Sequence, residues 1–163
     1  QGRFTLQLDE EKNRTFYLFG AGSGITPLMS IGKTILEKEP LSTVFLLYGN
    51  RNEESIIFKY QLDKMVQKYQ NQFIVCHTLS QPKKQKIGGL GGLFKKSKMS
   101  WQGEVGRVDK LSVKKFLLDN PTRSKECGFL HHHADLPYHR HSTHTLASFE
   151  SYSQPGKNIR SSG

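Results

Sequence analysis

The chain has 163 residues, enough for one domain with a full core, and two cysteines, too few for a disulfide framework. Its net charge of +10 suggests a polyanion partner, but residues 81–126 carry 12 Lys and Arg against 4 Asp and Glu, whereas residues 1–80 carry 9 against 8 and residues 127–163 carry 3 against 2. With no signal peptide and no bilayer-spanning apolar run, a cytoplasmic protein is expected, with neither nucleic acid nor membrane as partner.

In chain order, Gly2 to Leu8 alternates like an edge strand, and Asp9 to Arg14 is a polar connector. The apolar run Phe16-Tyr17-Leu18-Phe19 reads as a buried parallel strand. It breaks into Gly20-Ala21-Gly22-Ser23-Gly24, and Leu28 to Leu36 follows as an amphipathic helix. Thr26 suits the helix N-cap and Pro27 the first helical position. A second strand, Thr43 to Tyr48, ends in Gly49-Asn50-Arg51. Helical spacing of Ile56, Ile57, Tyr60, Leu62, Met65, Val66 and Tyr69 predicts a helix over Glu53 to Tyr69 with those residues in the core. Phe73 to Leu79 is a third strand, and Lys83 to Lys98 a lysine- and glycine-rich surface loop. Trp101 to Val108 forms a compact turn, and Lys110 to Leu118 a helix with Leu111, Val113, Phe116 and Leu117 inward. Alternating strands and helices predict an α/β fold, a doubly wound parallel sheet with ligands at the carboxyl ends of its strands.

The turn after the first strand carries the chemistry. Its glycines permit positive φ and let a ligand approach the backbone, while the following helix aims N–H groups and its dipole at an anion. The same turn can also serve as a plain strand-to-helix connector. The glycines fall as G-x-G-x-G, not as the commoner G-x-G-x-x-G. The second strand ends in Arg51, which pairs with phosphate, where the commoner pattern has an acid for a ribose hydroxyl. The lysine loop reads as a solvated surface, a dock for an acidic partner, or a steering element for a phosphorylated cofactor. His77 reads as a satisfied sheet-end residue rather than a general base, and Cys76 as a buried filler.

The glycine turn, Tyr48-Gly49-Asn50-Arg51 and the block Leu79-Ser80…Trp101-x-Gly103-x-x-Gly106-Arg107-Val108 together resemble the pyridine-nucleotide-binding half of the ferredoxin–NADP reductase superfamily. The resemblance is nearest to the phenylacetate-degradation (ring-oxygenase) reductase and flavodoxin reductase type, and covers residues 1 to about 126. It implies a five-stranded sheet binding NADP or NAD. Gly20, Gly22, Ser23 and Gly24 would lie against the pyrophosphate and Thr26 where nicotinamide meets flavin. Tyr48, Asn50 and Arg51 would form the end of the second strand, with Arg51 facing the adenosine ribose and any 2′-phosphate. Ser80 would reach the same phosphate, although Gln81 follows where NADP-selective relatives carry arginine; Lys83 or Lys84 would substitute as a point charge. Arg107 is either a second phosphate contact or a pin for its turn.

In the intact enzyme so implied, hydride passes from NAD(P)H to FAD, and single electrons leave through a 2Fe-2S centre or a carrier. The partners are then the FAD-binding domain of the same polypeptide and a ferredoxin, flavodoxin or oxygenase component. Residues 1–10 would be the last strand of the FAD barrel and 11–126 the nucleotide domain, a fragment inactive alone. No catalytic acid or base and no protein metal ligand is expected within it. The family's C-G-P-x-x-M strand does not appear. Residues 127–163 are instead a His- and Ser-rich tail, from His131-His132-His133 onward, open to three readings. These are translation out of frame, a disordered tract, and a metal site. Any of them would disrupt the last strand and closing helix. The rival function is a non-enzymatic nucleotide- or anion-binding module that docks an acidic partner through its lysine loop.

Overall fold

Arg14–Ala21 forms β1, an apolar run buried on both faces, as a central parallel strand requires. The computed structural model describes residues 7–86 and 97–132. The edge strand expected from Gly2 falls largely outside them, as do the centre of the lysine loop and the tail beyond His132. A single turn of 3₁₀ helix, Gly22–Gly24, leads into helix α1, Ile25–Lys38. Strand β2, Thr43–Asn50, helix α2, Lys59–Lys68, and strand β3, Phe73–Leu79, follow. The lysine-rich segment closes on itself as an antiparallel ribbon of β4, Lys84–Lys86, and β5, Ser97–Met99. Strand β6, Glu104–Val105, helix α3, Lys110–Asp119, and strand β7, Glu126–His132, complete the described chain.

The main sheet has five parallel strands in the order β6-β3-β2-β1-β7. Its two faces bury different sets because side chains alternate along each strand. Phe16, Leu18, Val44, Leu46, Tyr48, Phe73 and Leu79 pack with Ile25, Leu28, Ile35 and Leu62 of α1 and α2. Tyr17, Phe19, Phe45 and Leu47 pack with Val108 and Phe116 on the α3 side, where Tyr17 stacks on Phe45 and Phe129 at 5.4 and 5.3 Å. Helices thus cover both faces, the doubly wound arrangement expected. The chain passes from β1 outward through β2 and β3, then returns to place β7 on the other side of β1. The carboxyl ends of β1 and β7 therefore mark the switch in strand order, where this architecture opens a crevice.

Several local expectations differ. The fifth strand is present: residues 127–132, assigned to the tail by sequence, pair with β1 from Cys127↔Thr15 to His132↔Gly20. The helix expected over 53–69 is broken. A one-turn helix, Glu53–Ser55, is closed by reciprocal bonds between Asn52 and Ser55, and Phe58 takes a left-handed conformation (φ 59°) before α2. Only Ile56 and Leu62 of its apolar set are buried, and Tyr60 is 67% exposed. Helix α3 turns Val113, Phe116 and Leu117 inward, but Leu111 is 76% exposed.

Candidate functional site

The glycine turn lies at the carboxyl end of β1, beside the switch point. Gly20 leaves room for α1, since a Cβ there would stand 2.8 Å from Leu28 Cδ1 and force that side chain to shift. Gly22 is required by conformation (φ +50°), and a Cβ on it would meet no atom of the described residues within 4 Å, so among them the space outside the turn is open. Gly24, buried, is the residue immediately before α1. Ser23 and Thr26 are exposed. Thr26 is not the N-cap expected from sequence; it lies inside the first turn and its hydroxyl donates to Ser23 O at 3.2 Å.

Tyr48 reaches this turn from β2. Its ring is fully buried beside Gly20, its register partner, and its hydroxyl donates to Gly22 O at 2.9 Å. Burial pushes the Tyr48 hydroxyl's pKa above its ordinary value, with smaller opposing effects from Asn50 and the Ile57 amide. Asn50, also buried, ends β2 near the Tyr48 hydroxyl, and among the described residues neither of its carboxamide atoms makes a well-formed hydrogen bond. An orphaned amide at a strand's carboxyl end is costly unless something supplies its bonds.

Arg51 and Ser80 leave adjacent strands and remain tied. Ser80 N–H donates to Asn50 O (2.9 Å) and Gln81 N–H to Arg51 O (2.8 Å), extending the ladder past the sheet. Gln81, noticed in the sequence only as a departure from arginine, accepts from Arg51 Nε at 2.9 Å. Among the described residues the two terminal guanidinium nitrogens of Arg51 have no hydrogen-bond partner, leaving one edge of the fork for a ligand. Lys83 is exposed and ion-paired with Glu54. Gly106 (φ +145°) starts the turn that carries Arg107; Thr78 Oγ1 donates to Gly106 O at 3.0 Å, and Val108 packs on Gly49 so closely that a Cβ there would come within 2.6 Å. Arg107 is exposed, with its carbonyl accepting from Ser112 Oγ at 3.0 Å, and among the described residues no hydrogen bond joins its guanidinium to the glycine turn.

The structure thus gathers Gly20, Gly22, Ser23, Gly24, Tyr48, Asn50, Arg51 and Ser80 at one end of the sheet. Lys83 lies beyond β3 and Arg107 beyond the edge strand β6. Ser55, whose Oγ accepts from Arg51 N–H at 3.1 Å, and Glu54 are not singled out by sequence, and Gln81 only as a departure from arginine; the link of Arg51 to Gln81 across 30 positions exists only in the sheet register.

His77 departs from expectation too. It is half-buried beside α2, its ring 5.7 Å from that of Tyr48, and among the described residues its buried Nδ1 has no partner, so within them it is not a satisfied residue. Burial, and then the charge of Lys59, push its pKa below the ordinary value, against a weaker pull from Asp63. Cys76 on β3 and Cys127 on β7 are unpaired, with two strands between them. Among the described residues no cluster of His, Cys, Asp or Glu could hold a metal, so these residues do not fit a 2Fe-2S centre. No helix among them is long and apolar enough to cross a membrane.

Comparison with known proteins agrees with this geometry. The family model described as oxidoreductase NAD-binding domain matches residues 18–131. The chain is 47% identical over 64 residues to the ferredoxin reductase component of 3-ketosteroid-9-alpha-monooxygenase from Rhodococcus rhodochrous, covering 39% of this chain and 18% of that protein. It is 34% identical over 96 residues to NADH–cytochrome b5 reductase 1 of Arabidopsis thaliana, covering 58% and 34%. The chain therefore spans about a third or less of these relatives' length. Among solved structures, the CS-b5R domains of human Ncb5or in the NAD+ form superpose with a TM-score of 0.57 at 25% identity, over 79% of this chain and 32% of that one. The glycine turn, the strand order and these likenesses converge: the chain belongs to the oxidoreductase NAD-binding domain family and is ferredoxin reductase-like.

Proposed function

We propose that this chain is the NAD(P)H-holding domain of a flavin-dependent reductase. Its nucleotide would lie across the carboxyl ends of β1 and β2. The observation that carries this reading is the open glycine turn at the switch point, flanked by the orphaned carboxamide of Asn50. The residues present fit a dinucleotide. Gly22 to Gly24 offer backbone N–H groups to a pyrophosphate, Asn50 seeks partners at the next strand end, and Arg51 presents a guanidinium edge.

When bound, the nicotinamide would supply a hydride to an FAD held by an FAD-binding domain of the same polypeptide, and a ferredoxin, flavodoxin or oxygenase component would take the electrons onward. The part played by this chain is to bind and orient. The turn fixes the pyrophosphate, and Thr26, exposed in the first turn of α1, faces the nicotinamide end. Arg51 with Ser80 holds the adenosine end, and the open guanidinium edge of Arg51 favours NADP over NAD; Lys83, already ion-paired with Glu54, adds little to that preference. No proton transfer is assigned to any residue, and this chain alone does not turn over. Two unpaired cysteines suit a reducing, cytoplasmic setting.

Calorimetric titration with NADP⁺ and NAD⁺ tests the proposal. Saturable NADP⁺ binding is expected, weakened about tenfold or more by Arg51→Ala through loss of a charge-assisted bond, while NAD⁺ binding changes little. A folded chain that binds neither nucleotide contradicts the nucleotide reading. An Arg51→Ala effect equal for both ligands contradicts the assignment to the 2′-phosphate.

A further inference from the structure

We infer that Tyr48 is a positioning residue for the nucleotide's pyrophosphate, acting through the Gly22–Ser23 peptide rather than by touching the ligand; the inference rests on the nucleotide reading above. The sequence places Tyr48 among cofactor contacts, but its ring is fully buried between the sheet and the helices of one face, where no ligand reaches it. Only its hydroxyl arrives at the turn, and it does so from beneath, donating to Gly22 O at 2.9 Å. The Ile25 N–H also donates to that carbonyl, so the oxygen is held from the core and from the start of α1.

The consequence follows from peptide geometry. The carbonyl of Gly22 and the N–H of Ser23 belong to one planar trans unit and point in opposite directions. Drawing the oxygen inward turns the Ser23 N–H away from the core, at a residue that is itself exposed. The positive φ of Gly22 makes this orientation possible, and the tyrosine hydroxyl makes it the preferred one. Without the hydroxyl the carbonyl keeps only the Ile25 N–H, and the peptide is less firmly held with its N–H towards an anion. A tyrosine hydroxyl is protonated at neutral pH, and burial pushes its pKa further up, so the donor is permanent. Gly20, the register partner of Tyr48, leaves the neighbouring position without a side chain while the ring approaches the turn.

The test is Tyr48→Phe in the full chain, which keeps the ring and removes one hydroxyl. Its ligand is ADP-ribose, which carries the pyrophosphate without the nicotinamide. Calorimetry should show affinity weakened about fivefold to tenfold, the effect of one lost hydrogen-bond orientation. Amide spectra should show the ligand-induced shift of Ser23 shrinking while that of Gln81, at the adenosine end, persists. A purely structural tyrosine would leave the affinity unchanged or attenuate both shifts alike, and either result overturns the inference. Failure of the wild-type chain to bind ADP-ribose would sink the nucleotide reading and this inference with it; unaltered binding by Tyr48→Phe sinks this inference alone.

Discussion

Single side chains at this site differ in what they owe to position and what they owe to chemistry. Gly22 and Gly20 look alike in sequence, yet one is needed for a backbone angle and the other for room against Leu28. Both were legible, because a backbone demand of either kind leaves a glycine behind. The role of Tyr48 was not, since a tyrosine inside an apolar strand has the same pattern whether or not its hydroxyl has a task. His77 shows a similar limit: its neighbours in sequence give no hint that Nδ1 lies buried and unpartnered. Its lowered pKa has a measurable consequence. The unfolded chain takes up this proton more readily than the folded one, so stability falls as pH drops through the unfolded value, near 6.5, towards the lower folded value. Thermal unfolding at pH 8 and pH 5.5 should therefore show a smaller acid-induced loss in His77→Gln than in the parent chain. An equal loss in both would mean the imidazole is no less basic folded than unfolded.

At the scale of elements, the expected parallel strands are found, because uninterrupted apolar runs such as Phe16 to Phe19 have few other destinations. Helix limits were less legible. The apolar spacing continues through Ile56, Ile57 and Tyr60, but the Asn52–Ser55 cap closes a separate turn and Phe58 breaks the helical path. Strand β7 was concealed by its histidines; it forms because Phe129 and Leu130 each find a place in the two cores, and because β1 offers a full parallel edge. The opposite end of the sheet is fixed by a buried network that sequence could not pair. Arg14 Nε donates to Glu39 Oε2 at 3.1 Å, and the carboxylate also accepts from Ser42 Oγ at 2.7 Å and from Asp9 N–H at 3.2 Å. This ties the incoming segment, the start of β1 and the end of α1 at one point. Glu39→Ala would strand the Arg14 charge, and urea unfolding should record a loss of about 3–5 kcal/mol. A loss under about 1 kcal/mol would show that water reaches the guanidinium.

Across the whole molecule the two ends of the sheet divide the work. The amino-terminal end is sealed by satisfied polar groups, while the carboxyl-terminal end keeps glycines, an orphaned carboxamide and one edge of a guanidinium open. That asymmetry is what a ligand-binding α/β sheet requires, and the order β6-β3-β2-β1-β7 locates the opening beside β1. The rival reading, an anion-binding module working through its lysines, would put the ligand instead on the ribbon of β4 and β5. Hydrogen–deuterium exchange of the full chain with and without NADP⁺ separates the two. The nucleotide reading requires slowed exchange in peptides covering Gly20 to Met29 and Asn50 to Ser55. Protection confined to Lys83 to Ser100, with the glycine turn exchanging as before, would contradict it.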